Sequence, residues 1–141
     1  MQTALFVARV QELAHLASRS DAERAVRAVF ETFAERVTQG ATTNLAAQLP
    51  REIAQYLLRR GPEVRDLSPG AFWEHVAARE GVEIAYAIRH ARAVFQVLHE
   101  AVSAGEMEDF AAELPAALRA ALQQPLPAAQ RTHGNIERGA E

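Results

Sequence analysis

The chain carries the same residue pattern twice, and the two copies are offset by 65 residues. The first copy starts with Arg-Ala-Val-Phe at Arg27, and the second starts with the same four residues at Arg92. Both copies pass through a glycine and end in Ala-Ala-x-Leu-Pro, at Pro50 and Pro115. The identical pairs are Arg27/Arg92, Ala28/Ala93, Val29/Val94, Phe30/Phe95, Glu35/Glu100, Val37/Val102, Gly40/Gly105, Ala46/Ala111, Ala47/Ala112, Leu49/Leu114 and Pro50/Pro115. This many identities without a gap indicate a tandem duplication.

Apolar residues in both copies recur at steps of three and four, which is the period of an α-helix. The stripes of the first copy are Phe6, Val10, Leu13, Ala17; Val26, Phe30, Phe33, Val37; Leu45, Leu49; and Ile53, Leu57. Those of the second copy are Phe72, Trp73, Val76; Ile84, Ile88, Ala91, Phe95, Leu98, Val102; Phe110, Leu114; and Leu118, Leu122. The spacing predicts an all-α protein of two tandem four-helix repeats.

Breaks in this periodicity predict the domain boundaries. The first repeat covers residues 1–60, and a linker with Gly-Pro punctuation covers 61–67. The second repeat covers 68–124, and the polar, aperiodic residues 125–141 are predicted to form a flexible tail.

Capping residues predict where several helices begin and end. Ser20-Asp21-Ala22-Glu23 has the S-x-x-E form of a capping box and predicts the start of the second helix. Gly40 predicts its end, and Thr42 or Thr43 predicts the cap of the short helix that follows. Ser68-Pro69 predicts the cap and first position of the fifth helix.

The sixth helix has a second apolar stripe on the side opposite its core stripe. This stripe consists of Tyr86, His90, Ala93 and Val97, and the matching face of the second helix has the small residues Ala25, Ala28 and Thr32. Because a helix that is apolar on two sides is buried on two sides, the two helices are predicted to pack around a pseudo-twofold axis in one helical bundle. In the alternative, the stripe lies outside as an interface for a partner or a second subunit.

Two copies of an Arg-Ala-Val-Phe helix, a glycine turn and an Ala-Ala-x-Leu-Pro corner resemble the bacterial family called domain of unknown function 2267. The likeness covers about residues 4–124, and its most specific parts are residues 30–50 and 95–115. The resemblance implies an all-helical repeat fold and transfers no catalytic residue.

The charge balance argues against nucleic acid as the main partner. The chain has 15 Arg and no Lys against 18 acidic residues, so the net charge is −3. The one local basic cluster, which predicts at most weak nucleic-acid binding, is Arg51, Arg59, Arg60 and Arg65.

The absence of cysteine excludes disulfides and thiolate chemistry. The apolar run at residues 4–8 is too short for a signal or membrane-spanning segment, which predicts a cytoplasmic protein.

Metal and catalytic patterns are weak. Glu12 and His15 have the Glu-x-x-His spacing of a carboxylate-bridged metal site, but no second copy of that motif exists. His75, His90 and His99 have the counterparts Arg9, Ala25 and Ala34, which cannot complete a site. The sequence has no glycine-rich phosphate loop and no nucleophile motif. We therefore expect no metal, no cofactor and no enzymatic activity.

Arg27/Arg92 and Glu35/Glu100 are the charged residues that the duplication preserves. In a structural interpretation, each arginine binds a helix-end carbonyl or an acid of its own repeat. In a functional interpretation, Arg27 and Arg92 hold an anionic ligand in two related pockets.

The leading hypothesis is a non-enzymatic interaction or scaffold module that binds a protein partner or itself. The alternative is a small anionic-ligand-binding protein that uses Arg27 and Arg92.

Overall fold

The computed structural model describes residues 1–59 and 61–126, which form eight α-helices and no β-strand. The helices are α1 (Thr3–Ala14), α2 (Arg19–Ala34), α3 (Gln39–Ala46), α4 (Arg51–Leu58), α5 (Pro69–Glu80), α6 (Ile84–Ala101), α7 (Ala104–Glu113) and α8 (Ala116–Leu122). The all-α prediction is confirmed for this part of the chain. None of these helices combines the length and apolar character that crossing a membrane requires. Arg60 and residues 127–141 of the predicted tail lie outside the described residues.

The predicted ends of α2 and α3 need correction. Ser18, and not Ser20, caps α2, because its hydroxyl accepts a hydrogen bond from the Asp21 amide at 3.1 Å. The helix ends at Ala34 without a glycine, since the next residue keeps a right-handed φ of −83°. Gly40 lies inside α3, whose cap is Thr38 and neither Thr42 nor Thr43.

The predicted start of α5 is confirmed. The Ser68 hydroxyl accepts a hydrogen bond from the Ala71 amide at 3.2 Å, and Pro69 occupies the first helical position. At the other end, Gly81 adopts the left-handed conformation with φ 78°, where any side chain would be strained. A serine cap and a glycine stop therefore limit this helix to twelve residues.

The helices of the two halves pack into one core. Helices α2 and α6 contact each other, and each is also contacted by both α1 and α5. The Phe33 ring of α2 lies 5.3 Å from Phe72 on α5 and 5.3 Å from Phe110 on α7, measured between ring centroids. The first half therefore inserts an aromatic side chain among helices of the second.

Helices α3 and α7 exchange bonds at their caps. The Thr38 hydroxyl, which caps α3, donates to Glu113 Oε1 at 3.3 Å. The Ser103 amide, at the cap of α7, donates to Gln48 Oε1 at 2.8 Å, and the Gln48 amide nitrogen donates to the Ser103 hydroxyl at 3.3 Å. In the 65-residue register, Thr38 corresponds to Ser103 and Gln48 to Glu113. The same pair of positions thus joins the halves twice.

The second apolar stripe of α6 is buried within the bundle. His90, Ala93 and Val97 are inaccessible to solvent, and Tyr86 is partly accessible. This follows from the central position of α6, which α1, α2 and α5 all contact. The three buried residues therefore belong to helix packing and do not form the outer patch of the alternative interpretation. On the core stripe, Ile84 is 44% exposed at the first residue of α6, and Ile88 is only partly buried.

Ala93→Leu is expected to lower the free energy of unfolding by about 1–3 kcal/mol, because Ala93 is fully buried and added methyl groups overpack such a site. Urea unfolding measures the loss. The matched control is Ala85→Leu, since Ala85 is exposed on the same helix. Equal stability of the two variants would contradict the close packing of α6.

Candidate functional site

Arg27 belongs to a surface cluster built around an aromatic ring. Its Nε donates to Glu31 Oε2 at 3.2 Å, and Nη1 of Arg59 donates to the same oxygen at 3.2 Å. The guanidinium carbons of Arg27 and Arg59 lie 5.4 Å and 5.0 Å from the centre of the Tyr56 ring. Both distances are in the range of cation–π attraction. We call Arg27, Glu31, Tyr56 and Arg59 the Tyr56 cluster.

Arg92 lies beside a cleft between α6 and the end of α8. Its Nε donates to the Ala121 carbonyl at 2.9 Å. The cleft has a volume of about 240 Å³ and is lined by Arg92, Phe95, Gln96 and His99 of α6 and by residues 122–125. We call it the Arg92 cleft.

The Arg92 cleft has an apolar floor and a polar rim. Phe95 and Leu122 are each only 2% exposed, whereas Gln96 and Gln124 are exposed. The Nδ1 of His99 donates to the Phe95 carbonyl at 3.0 Å, which leaves its Nε2 for other partners. Among the described residues, the terminal nitrogens of Arg92 have no hydrogen-bond partner. The rim therefore offers amide, imidazole and guanidinium groups above an apolar surface.

The Tyr56 cluster and the Arg92 cleft occupy the same positions of the duplicated pattern. With the 65-residue offset, Arg27 corresponds to Arg92 and Tyr56 to Ala121. The offset also pairs Glu31 with Gln96 and Arg59 with Gln124. The aromatic ring of the first copy thus corresponds to a methyl group in the second.

The duplicated acids Glu35 and Glu100 join the halves. Arg9 of α1 binds Glu100 at the end of α6 through its Nε at 3.0 Å and its Nη2 at 2.8 Å. In the other half, the His75 Nδ1 of α5 lies 3.7 Å from Glu35 Oε1. Each acid therefore lies close to the first helix of the other half.

Glu35 is also held by two further arginines. Arg36 and Arg79 each donate from Nη1 to Glu35 Oε1 at 3.1 Å. Burial opposes the charged form of the carboxyl group, but the hydrogen bonds and charges of Arg79 and Arg36 outweigh it and lower the pKa of Glu35.

The Arg36 guanidinium is fully buried and lies 5.3 Å from the centre of the Phe72 ring. Its Nη2 is 3.1 Å from His75 Nδ1, and because arginine can only donate, that imidazole nitrogen accepts. Arg36, His75 and Arg79 thus hold the end of α2 against α5, and we assign them a structural role.

The predicted histidine and carboxylate candidates lie apart. Glu12 pairs with Arg9, and His15 adopts the left-handed conformation with φ 56° that ends α1, so the two do not share a helical face as expected. His75 and His99 belong to the contacts above. In residues 1–59 and 61–126, no group of three or more His, Asp or Glu side chains has the arrangement of a metal site.

His90 forms a buried pair with Glu80. His90 Nδ1 bonds Glu80 Oε2, and both side chains are almost fully shielded from solvent. The second oxygen of Glu80 has no hydrogen-bond partner within the described part of the chain. Helices α1 and α5 align at an offset of 66 residues, as Phe6 with Phe72, so the corresponding residues of the first copy are Ala14 and Ala25. Both are fully buried. A polar pair therefore occupies a place that the other half fills with two methyl groups.

The described members of the predicted basic cluster, Arg51, Arg59 and Arg65, do not converge on one surface site. Arg51 begins α4 and Arg59 follows its last residue, so about 12 Å of helix separates them. Arg59 is bound to Glu31 and to Gln55 Oε1, the latter at 3.3 Å, and Arg65 is exposed in the connection between the halves.

Comparison with known proteins identifies the family. The family model of DUF2267, described as an uncharacterized conserved protein, matches residues 3–121. The chain belongs to this family. A search of the curated proteins found no match to it. The family description names no reaction or ligand, so the role of this DUF2267 chain has to be inferred from its own side chains.

Sequence reasoning singled out Arg27 and Arg92 of this DUF2267 chain and overlooked the residues around them. Tyr56 and Glu31 lie beside Arg27, and Gln96 and Gln124 line the Arg92 cleft. The signal that could have found them is the list of positions at which the two copies differ.

Proposed function

We propose that this chain is a non-enzymatic interaction module that binds a protein partner, or a second copy of itself, through the Arg92 cleft. The observation that carries the proposal is the Arg92 cleft itself. Its volume is about 240 Å³, its floor of Phe95 and Leu122 is shielded, and the terminal nitrogens of Arg92 have no hydrogen-bond partner among the described residues.

The size and lining of the cleft favour a side chain of a partner over a whole small molecule. Pockets for drug-sized ligands measure roughly 300–1,000 Å³, so the Arg92 cleft is smaller than these. Its shielded floor of Phe95 and Leu122 beneath an arginine resembles the centre of a protein interface, where buried pockets receive anchor residues.

We also infer that the halves form two four-helix repeats related by a pseudo-twofold axis. Three pairs of contacts support this inference. Helix α1 contacts α6 as α5 contacts α2, Glu100 binds Arg9 of α1 as Glu35 binds Arg79 of α5, and the caps of α3 and α7 exchange equivalent bonds. Under this symmetry, Arg27 and Arg92 lie at related places of the fold.

The second candidate function is binding of a small anionic ligand. The terminal nitrogens of Arg92, which lack a partner among the described residues, favour it. The Ala121 carbonyl at the end of α8 opposes it, because a helix C-terminus carries partial negative charge. Arg27 is already bound to the Glu31 carboxylate, which competes with an anion. Weak nucleic-acid binding through Arg51, Arg59, Arg60 and Arg65 ranks third.

Ala121→Tyr should place a ring beside Arg92, as Tyr56 places one beside Arg27, and obstruct the cleft, so partner binding should be lost. The measurement compares quantitative affinity capture from native extract, and sedimentation of the purified chain, for wild type and variant. The matched control is Ala120→Tyr, since Ala120 is exposed on the same helix.

We expect Ala120→Tyr to retain what the wild type binds and Ala121→Tyr to lose it. Equal capture by both variants would place the binding surface elsewhere. Stabilisation by carboxylate or phosphate metabolites that Arg92→Ala abolishes would favour the anionic-ligand candidate instead.

A further inference from the structure

We propose that the Arg92 cleft takes the carboxylate of an acidic side chain, a glutamate or an aspartate on a segment of the partner, and that the Arg92 guanidinium binds it. The inference deepens the proposed function, and it rests on that function for the molecule that carries the acid. The chemistry of the acid is argued from the charges that line the cleft and from the ion pair that Arg27 makes in the first copy.

Arg92 retains donors that the fold does not use. Its Nε donates to the Ala121 carbonyl at 2.9 Å, whereas Nη1 and Nη2 make no hydrogen bond among the described residues. A guanidinium presents its donors as a planar fork that matches the two oxygens of a carboxylate. The edge formed by Nη1 and Nη2 is therefore available to a carboxylate from outside the chain.

The charge around the cleft has one sign. Of the described residues that line it, Arg92 is a permanent cation, and none is Asp or Glu. This contrasts with the whole chain, in which 18 acids outnumber 15 arginines. Gln96 and Gln124 at the rim add neutral amide groups that can donate to a carboxylate. The cleft is therefore complementary to an anionic group, which a neutral or cationic side chain of a partner would not match.

The first copy supplies from within its own helix the carboxylate that the second copy lacks. Arg27 Nε lies 3.2 Å from Glu31 Oε2, and the two residues are four positions apart on α2. Arg92 is the counterpart of Arg27 at the 65-residue offset. The counterpart of Glu31 is Gln96, which lines the cleft. The duplication thus keeps the arginine and has a neutral amide in place of its carboxylate partner, and an acid from a partner would restore the ion pair.

The apolar floor distinguishes an acidic segment from a free small anion. Phe95 and Leu122, which line the same cleft as Arg92, are each 2% exposed. The methylene groups of a glutamate, or an aliphatic side chain next to it in sequence, can bury apolar surface on this floor. A free carboxylate without such groups gains only the charge interaction, and the partial negative charge of the Ala121 carbonyl weakens that interaction. Charge and apolar area together therefore favour an acidic segment of a protein.

The test is a titration of the full chain with the peptide N-acetyl-Leu-Glu-amide, followed by nitrogen–proton NMR. Shifts should be confined to the cleft, including the side chains of Arg92, Gln96 and Gln124, with a dissociation constant on the order of 1 mM for so small a probe. The matched probe N-acetyl-Leu-Gln-amide has a similar size and the same apolar residue but no charge. It should bind about tenfold more weakly, and raising the salt from about 0.05 M to about 0.5 M should reduce this difference.

Variants assign the preference to Arg92. Arg92→Gln should bind the two peptides equally, whereas Arg65→Gln, which removes the same charge from an exposed arginine outside the cleft, should keep the difference. Gln96→Glu places a carboxylate four residues from Arg92, as Glu31 lies four residues from Arg27, and should also remove the preference. This variant provides the readout if Arg92→Gln does not fold.

The proposal is overturned if the two peptides bind equally to the wild type, if neither shifts the cleft residues, or if Arg92→Gln or Gln96→Glu keeps the preference. Acetate that binds as tightly as the glutamate peptide would also overturn it, in favour of the small anionic ligand. Loss of partner capture in Ala121→Tyr, together with equal binding of the two peptides, would overturn this inference and leave the proposed function standing.

Discussion

Glu80→Ala is expected to lower the free energy of unfolding by about 3–5 kcal/mol, one of the largest effects available from a single charged residue in this chain. The substitution leaves the His90 imidazole buried at 0% exposure without its carboxylate partner. A buried polar group that loses a hydrogen-bond partner still carries the free-energy cost of leaving water, and the lost bond no longer offsets that cost. Urea unfolding at neutral pH measures the loss.

Two further variants distinguish the loss of the buried pair from the loss of any glutamate on the same helix. Glu74→Ala removes an exposed acid from the same helix and should change stability by less than about 0.5 kcal/mol. Glu80→Met combined with His90→Leu replaces both polar groups by apolar ones and should recover most of the stability. If Glu80→Ala is as stable as Glu74→Ala, the buried pair makes no net contribution.

Residues 1–64 expressed alone are expected to lose cooperative folding. In the whole chain, α1 packs on α6, α2 packs on α5 and α6, and α3 packs on α7. The isolated half would expose all of these surfaces, and a 60-residue domain buries only about 60% of its unfolded surface even when complete. Circular dichroism should show a weak, broad thermal transition in place of a sigmoidal one.

The matched experiment adds residues 65–126 as a separate chain. Because the halves contact each other through most of their helices, mixing should restore a sigmoidal transition that depends on concentration. A sigmoidal melt of residues 1–64 alone, close to that of the whole chain, would show that the halves are independent domains.

The helical class and most of the core could be predicted because they depend on period. Phe6, Phe30, Phe33 and Phe95 recur at helical spacing, and all are buried. Helix ends were harder, because several hydroxyl groups compete to cap α2 and α3. Ser18 and Thr38 cap these helices, whereas Ser20 and Thr42 do not. The apolar pattern alone does not distinguish the residues that cap from those that do not.

The candidate site was only half predictable. The duplication singled out Arg27 and Arg92 as a pair, but their environments differ because of residues outside the identical positions. Tyr56 packs beside Arg27, and Ala121 offers Arg92 only a backbone carbonyl. The Glu80 and His90 pair likewise replaces two alanines. Periodicity marks such positions as buried or exposed, and it does not reveal which partner a polar side chain meets.

The reciprocal packing of α1 on α6 and of α5 on α2 has an evolutionary consequence. Two separate copies of a four-helix chain could make these same contacts as a homodimer, and every substitution would then appear at both related places. Joining the copies in one polypeptide removes that constraint, because each place is encoded by its own codon. Under the proposed repeat relation and function, one place can carry a tyrosine within its own half, while the related place carries an alanine and remains available to a partner.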